Sequence, residues 1–311
     1  MRTISSSVPE SIHGVPLAEY LSSRFTYFDV EGWKREISIG KITLNGRVCV
    51  EPDAILRAGD VISYDGKGIE EPVVDGNFRI IHEDERLVVI DKPGDLPVHP
   101  AGRYFNNTLT MMYEARYGVK LFPVHRLDRE TSGVLLCAKD GGAAGIFSKA
   151  LSDGAKEYRA IVRGDFPEGE IRVDMPIGKD GRSEVRKKRK AFEGAPESAV
   201  TSFECVDRFG CYSLVACRPE TGRLHQIRVH LEYLGFPVLG DKIYGGDERC
   251  FIDFIERGMT DDLRERLVLP RCALHAFRVQ IYHSYAKKEM IFESPLPTMF
   301  TDFINGQTGE A

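Results

Sequence analysis

No stretch of this sequence is long and apolar enough to cross a bilayer: no hydrophobic run reaches the roughly 18 to 20 residues that a spanning helix needs. The first ten residues are Ser-rich and lack the charged-then-apolar pattern of a secretion signal. The expectation is a soluble, cytoplasmic protein with no membrane partner. Metal-binding spacing is also missing. The seven cysteines form no C-x-x-C pair, and no histidine pair stands near one at zinc spacing. Cys205, Cys211 and Cys217 recur at six-residue steps, but a turn over 208–210 interrupts any shared face. The cysteines are therefore read as buried free thiols of a reducing compartment. Positive charge is scarce too. The formal net charge is −5, whereas nucleic-acid-binding domains are usually basic. There is no internal repeat and no low-complexity tract.

What is present is enough chain for one large domain and a small one: 311 residues, 42% of them hydrophobic. The charge average hides a basic run over 179–190, in which Lys179, Arg182, Arg186, Lys187, Lys188, Arg189 and Lys190 face only Asp180 and Glu184. Charges more than about 8 to 10 Å apart are screened at physiological salt, so such a run acts locally whatever the total. It is read either as a solvated hairpin tip or as a surface for an anionic partner.

Residues 11–66 form a first compact unit. Leu17, Tyr20, Leu21 and Phe25 recur at helical spacing, and a second short helix is predicted over 30–39, ended by Gly40. Ile42-Thr43-Leu44, the turn Asn45-Gly46 and Val48-Cys49-Val50 read as a hairpin, and 61–64 as another strand. Residues 67–77, with Pro72 and Gly76, read as a linker. Residues 78–300 are continuous in hydrophobic pattern, with strand-like runs at 87–90, 134–138, 158–162 and 212–217. Crossovers are too irregular for a doubly wound sheet. The fold class expected is α+β, a mixed, largely antiparallel central sheet with flanking helices.

Three clusters carry the chemistry. Residues 124–132 pack His125, Arg126, Asp128, Arg129, Glu130, Thr131 and Ser132 into one polar loop. Gly133 then opens the apolar run 134–138. A polar loop at the mouth of a core strand is where catalytic groups tend to lie. On composition alone, turn capping by Asp128, Thr131 and Ser132 is the stronger reading. The second cluster runs from Pro219 to Leu231. Gly222, like Gly240 further on, suggests a tight turn, and a helix follows with Leu224, Ile227 and Leu231 on one face. Arg228 lies beside that stripe, where a partly buried guanidinium needs an anionic partner. The third, residues 156–164, alternates like a strand with Tyr158, Ala160 and Val162 on one face; a tyrosine there is by default a core residue.

Taken in order, His125-Arg126-Leu127-Asp128-x-x-Thr131-Ser132-Gly133, Lys156-x-Tyr158-x-Ala160 and Gly222-Arg223-x-His225-Gln226-Ile227-Arg228-x-His230 resemble the RluA family of RNA pseudouridine synthases. Val88-Val89-Ile90-Asp91-Lys92-Pro93-Gly94, Leu274-His275-Ala276 and Ser294-Pro295-Leu296-Pro297 extend the resemblance over 78–300. Residues 33–47 and 59–62 resemble the S4 RNA-binding domain, although 11–65 hold six Lys or Arg against eight Asp or Glu. The resemblance implies conversion of uridine to pseudouridine in RNA, with no cofactor and no metal. It makes Asp128 the catalytic carboxylate, acting at C1′ or by another route such as removal of the 2′-hydrogen. It makes Arg228 the ion-pair partner and Tyr158 the ring stacked on uracil, able to relay the proton leaving C5. Candidate RNA contacts are Arg126, Thr131, Arg223, His225, Gln226, Lys187, Lys188 and Arg189, with Lys34, Arg35 and Arg47 in the S4-like unit. His125 and Thr131 also read as loop-shaping residues. The expected partner is structured RNA, ribosomal RNA before transfer RNA, bound by a monomer. Two other classes stay open: a non-catalytic RNA-binding or ribosome-assembly protein keeping the fold, and a glycoside hydrolase using Asp128 and Glu130, whose side chains would point apart in an extended loop.

Overall fold

The computed structural model describes residues 4–25, 28–65, 71–102 and 104–309. The chain divides into two compact units, Met1–Val73 with Pro100–Asn107, and Val74–His99 with Thr108–Ala311.

The first unit holds β1 (Ile4–Ser7), α1 (Leu17–Arg24), α2 (Val30–Ser38), β2 (Ile42–Leu44), β3 (Arg47–Cys49) and β4 (Val61–Tyr64). Its sheet runs β1-β4-β2-β3, antiparallel throughout. Asn45 and Gly46 both have positive φ (51° and 78°), the mirror-image turn that matches strand twist in two-residue hairpins. Asp29 caps α2 by accepting the Gly32 N–H at 2.7 Å. Trp33 is buried with Leu17, Leu21 and Ile37, its ring edge-on to Phe28 and Tyr64 at 5.3 Å each.

Within the expected linker 67–77, one side chain is held in place. Residues 67–70 lie outside the described residues, but Glu71 is fixed. Its carboxylate accepts the backbone N–H groups of Phe105, Asn106 and Asn107 at 2.7 to 2.8 Å. That pairing accounts for a segment assigned to the catalytic region, 100–107, clustering with the first unit.

The second unit comprises β5 (Arg79–Glu83), β6 (Leu87–Lys92), α3 (Leu109–Tyr117), β7 (Phe122–Pro123), β8 (Ser132–Ala138), α4 (Gly141–Asp153), β9 (Ala155–Arg163), β10 (Glu170–Asp174), β11 (Ile177–Lys179), β12 (Arg189–Ala191), β13 (Val200–Phe209), β14 (Tyr212–Pro219), α5 (Gln226–Tyr233), α6 (Arg249–Arg257), α7 (Asp261–Leu267), β15 (Leu274–His283), β16 (Lys288–Glu293) and α8 (Thr298–Thr308). The main sheet runs β10-β13-β14-β9-β15-β8-β6-β5, with β16 beside β15 and β7 beside β8. Among the described residues only β8 and β15 pair in parallel, so the sheet is mixed and largely antiparallel. At that parallel step Gly133 has φ 106°, and a Cβ there would lie 2.2 Å from the Ala276 carbonyl oxygen. Glycine is required, and it fixes where the polar loop 124–131 leaves the sheet.

The unit continues past residue 300, since Phe300 on α8 is fully buried beside β13 and β14. The basic run forms an arm: β11 and β12 pair as a separate ribbon, and their connection carries Lys187 and Lys188. The cysteines are all free, but only Cys137, Cys217, Cys250 and Cys272 are buried. Cys211 is exposed because it sits at the β13–β14 hairpin turn.

Candidate active site

Helix α5 begins at Gln226, so Leu224 precedes it and the apolar stripe shortens to Ile227 and Leu231. All residues from His225 to Leu231 are nonetheless buried, because polar side chains satisfy the helix from within. The Gln226 amide donates to Val200 O and Thr201 Oγ1 at 2.9 Å, and its oxygen accepts from Thr221 Oγ1 and the Arg223 N–H. His230 bridges Thr201 Oγ1 and Met175 O. With that face anchored, Arg228 projects into the interior.

Asp128 sits in the loop between β7 and β8. The loop is clamped at several points. Thr131 N–H closes a turn on Asp128 O at 3.1 Å, and the Leu136 N–H donates to His125 Nε2. Lys92, fully buried, gives its ammonium to the carbonyls of Pro93, Leu96 and Arg129. Burial and the nearby Arg271 charge push that lysine down to about 7. Glu130 accepts from Lys242 Nζ at 2.9 Å and from the Cys272 N–H at 3.0 Å. Its carboxylate is thus tied into structure, which removes it as the second acid of a hydrolase.

Arg228 Nη1 donates to Asp128 Oδ2 at 2.7 Å. The other edge of the same guanidinium grips Asp241, Nε to Oδ2 at 2.6 Å and Nη2 to Oδ1 at 2.8 Å. Asp241 is inaccessible to solvent and also accepts the N–H groups of Ile243 and Tyr244. Burial alone would raise its pKa, but Arg228 and those two N–H groups bring it to about 2. A buried arginine so held stays a cation, because its planar fork meets one carboxylate bidentately while a third N–H reaches the other. Asp128 keeps a quarter of its side chain exposed. Burial pushes its carboxyl up, yet the Arg228 charge and its hydrogen bond outweigh this and hold it below the usual carboxylate range. The Tyr244 ring lies against the guanidinium, with Arg228 Cζ 4.9 Å from its centroid. His225 places Nε2 3.8 Å from Asp128 Oδ2 and is driven down to about 3 by burial and the Arg228 charge, so the ring is neutral.

Tyr158, on β9 between β14 and β15, packs against the core clusters on both sides. Burial, and then the negative charge of Asp128, raise its phenol well above the ordinary value. The site is therefore one ionised carboxylate, open on one side, backed by a fixed cation and flanked by a neutral phenol. Such a carboxylate can stabilise or trap positive charge developing at a sugar carbon. Among the described residues, no group of His, Cys, Asp and Glu is placed to hold a metal ion.

Residues 86–233, which contain all three of these side chains, match the model of the RNA pseudouridylate synthase family. The chain is 33% identical over 309 residues to ribosomal large subunit pseudouridine synthase D of Vibrio cholerae, covering 94% of this chain and 91% of that relative. The chain belongs to the RNA pseudouridylate synthase family. Isomerisation of uridine in RNA to pseudouridine is the reaction that membership assigns to it. The synthase is also 38% identical to the mitochondrial tRNA pseudouridine(32) synthase of Saccharomyces cerevisiae, matching 75% of this chain but only 51% of that relative. Among solved structures, human RNA Pseudouridylate Synthase Domain Containing 1 superposes with a TM-score of 0.56 at 25% identity, over 73% of this chain and 86% of that one.

Within the synthase, several candidate RNA contacts are not available as expected. The Gln226 amide is spent inside the fold, and Thr131 is buried in the loop turn. His225 faces Asp128 and Tyr244 rather than solvent. Lys188 is committed to Glu248 at 3.0 Å, and Arg189 folds back on the carbonyls of Lys187 and Lys188. Lys187 differs: its ammonium lies 4.3 Å from the Phe251 ring centroid. Lys187 is exposed as a whole, but desolvation of its ammonium and the Arg228 charge lower its pKa. Arg126 and Arg223 are exposed, as are Arg35 and Arg47 in the first unit, where Lys34 pairs with Glu31 at 2.8 Å.

Asp241 and Tyr244 were not singled out in the sequence. The signal for Asp241 was the demand itself: a buried guanidinium with five N–H groups outnumbers what one carboxylate can satisfy. The stretch Gly240-Asp241-x-x-Tyr244 stood thirteen residues downstream of Arg228.

Proposed function

We propose that Asp128 is the catalytic carboxylate of uridine isomerisation, with Arg228 as its fixed counter-ion and Tyr158 as the ring that covers the uracil. The observation that carries this reading is the 2.7 Å contact between Arg228 Nη1 and Asp128 Oδ2, made by a guanidinium already anchored on buried Asp241. Arg228 occupies Oδ2 and leaves Oδ1, which has no hydrogen-bond partner among the described residues, to face the substrate. The target nucleotide leaves its stack at a cost of a few kcal/mol. The N1–C1′ bond breaks while Asp128 bears the developing positive charge, uracil turns, and C5 bonds to C1′. The C5 proton is lost and N1 gains one, so the reaction is an isomerisation without redox change. The raised phenol of Tyr158 suits a stacking role. Acting as a base, it would have to pass on its own proton in the same step.

Structured RNA is the partner, and ribosomal RNA is favoured as target. The Vibrio cholerae relative, named for the large ribosomal subunit, matches along 91% of its length, whereas the yeast transfer-RNA relative matches along half. The first unit is read as an S4-like RNA-binding module, with Arg35 and Arg47 exposed on it. Pseudouridine mapped across cellular RNA with and without the gene tests this reading. Loss at one ribosomal position supports it; loss confined to transfer RNA overturns the target, and no loss anywhere overturns the activity.

A further inference from the structure

Two groups meet at Tyr244 Oη. The backbone N–H of Arg189, on the arm strand β12, points at it from 2.9 Å, and His225 Nδ1 lies 2.8 Å away. An amide N–H can only donate, so Tyr244 Oη accepts there. Among the described residues, its own hydroxyl hydrogen then has one partner in reach, His225 Nδ1, which accepts it. A neutral imidazole that accepts at Nδ1 carries its proton on Nε2. His225 Nε2 faces Asp128 Oδ2 at 3.8 Å, the same oxygen that Arg228 holds. His225 occupies the left-handed backbone region, φ 59°, just ahead of α5, a conformation uncommon for side-chain-bearing residues but one that histidine adopts more readily than most. The backbone is thus bent to bring this ring between Tyr244 and Asp128.

We propose that Tyr244 locks His225 in the Nε2–H tautomer, so that His225 is a positioning residue for the reaction, presenting a second donor to Oδ2 of Asp128 and leaving Oδ1 as the reacting oxygen. The assignment rests on the reading of Asp128 as the catalytic carboxylate. It also ties the arm to the site, because Arg189 N–H is what sets the direction of the Tyr244 hydroxyl. The 3.8 Å separation shortens when substrate excludes water, as catalytic hydrogen bonds often do. Gln226, next in sequence, plays no such part; its amide is consumed in holding the preceding turn.

Two substitutions separate this role from a backbone role. His225→Gln places an amide N–H where Nε2–H stood but is a poor left-handed residue. His225→Asn is a good left-handed residue but carries its amide at the Nδ1 position, too short to reach Asp128. Single-turnover pseudouridine formation on the RNA substrate, with RNA affinity and melting temperature measured alongside, decides between them. The expected result is that Gln exceeds Asn about tenfold in rate, the scale of one charge-assisted hydrogen bond, at equal RNA affinity. Long-range proton–nitrogen spectra of the wild type show His225 protonated at Nε2, and Tyr244→Phe, which removes the lock, shows mixed tautomers. Asn equal to or faster than Gln, or a wild-type His225 protonated at Nδ1, overturns the proposal. Asp128→Asn serves as the control. If it still makes pseudouridine, the reading of Asp128 falls and this inference with it; if it is inactive and Asn matches Gln, only the His225 assignment is lost.

Discussion

The most demanding consequence of the site concerns Asp241, which never touches substrate in this account. Replacing it with asparagine keeps the shape and removes the charge. Oδ1 takes three donors, Arg228 Nη2 and the N–H groups of Ile243 and Tyr244, and the asparagine carbonyl can keep them. The NH2 group then falls where Oδ2 was, pointing a donor at Arg228 Nε from 2.6 Å. One charge-assisted hydrogen bond is lost, and a buried guanidinium keeps only Asp128, a quarter exposed, as a counter-charge. Breaking a buried pair from one side costs about 3 to 5 kcal/mol. For a unit of this size that lowers the melting temperature by on the order of 10 °C. Arg228 is also freed to shift, and displacement by about 1 Å costs about a hundredfold in rate. Far-UV circular dichroism follows the larger unit, while fluorescence of Trp33, the chain's single tryptophan, follows the first unit as an internal control. An Asp241→Asn protein that melts within about 2 °C of the wild type, at undiminished single-turnover rate, would refute the reasoning.

Three further outcomes follow. Lys187→Glu alone should weaken RNA binding and lower the salt slope by about one, whereas Lys188→Glu, which mainly loses Glu248, should change the slope far less; equal slopes for both, measured at several salt concentrations, contradict this. Asp241 and Asp84 are each depressed to about 2, so their stabilisation is complete above the unfolded value near 4 and is lost as pH falls from about 4 to about 2; acid unfolding should lie in that window, with Asp241→Asn reducing the pH dependence there. Gly240→Ala should cost about 2 to 4 kcal/mol in chemical denaturation, because φ is 72° and a Cβ would lie 2.2 Å from the Arg271 carbonyl oxygen; Gly222→Ala, with open space around it, should be within about 0.5 kcal/mol of neutral.

The contrast between those glycines shows what the sequence could reveal. Both stood in turn-like stretches, and only packing distinguishes a glycine that must be one. Strands were legible where side chains alternate or run apolar, as at 87–90 and 134–138, within the observed 87–92 and 132–138, since periodicity is local. The linker expected over 67–77 rested on Pro72 and Gly76. That 100–107 clusters with the first unit was not visible, because it depends on one carboxylate meeting three N–H groups some 34 to 36 positions away. Asp128, Tyr158 and Arg228 were singled out through motif order, and the structure brings Arg228 to Asp128. Asp241 was missed because its role is defined only by the second edge of a guanidinium whose first edge was already assigned. Gln226 was misread for the opposite reason: a polar side chain beside an arginine motif suggested RNA, yet buried turns also need amides.

The central claim is that the carboxylate of Asp128, held ionised by Arg228, carries out the isomerisation. Its most direct test is pseudouridine formation by Asp128→Asn on the RNA substrate identified by mapping, with binding measured in parallel. The account predicts RNA affinity within about threefold of the wild type, a change of under 1 kcal/mol, and no detectable pseudouridine under single-turnover conditions. Pseudouridine produced by the asparagine variant at a measurable fraction of the wild-type rate would contradict it.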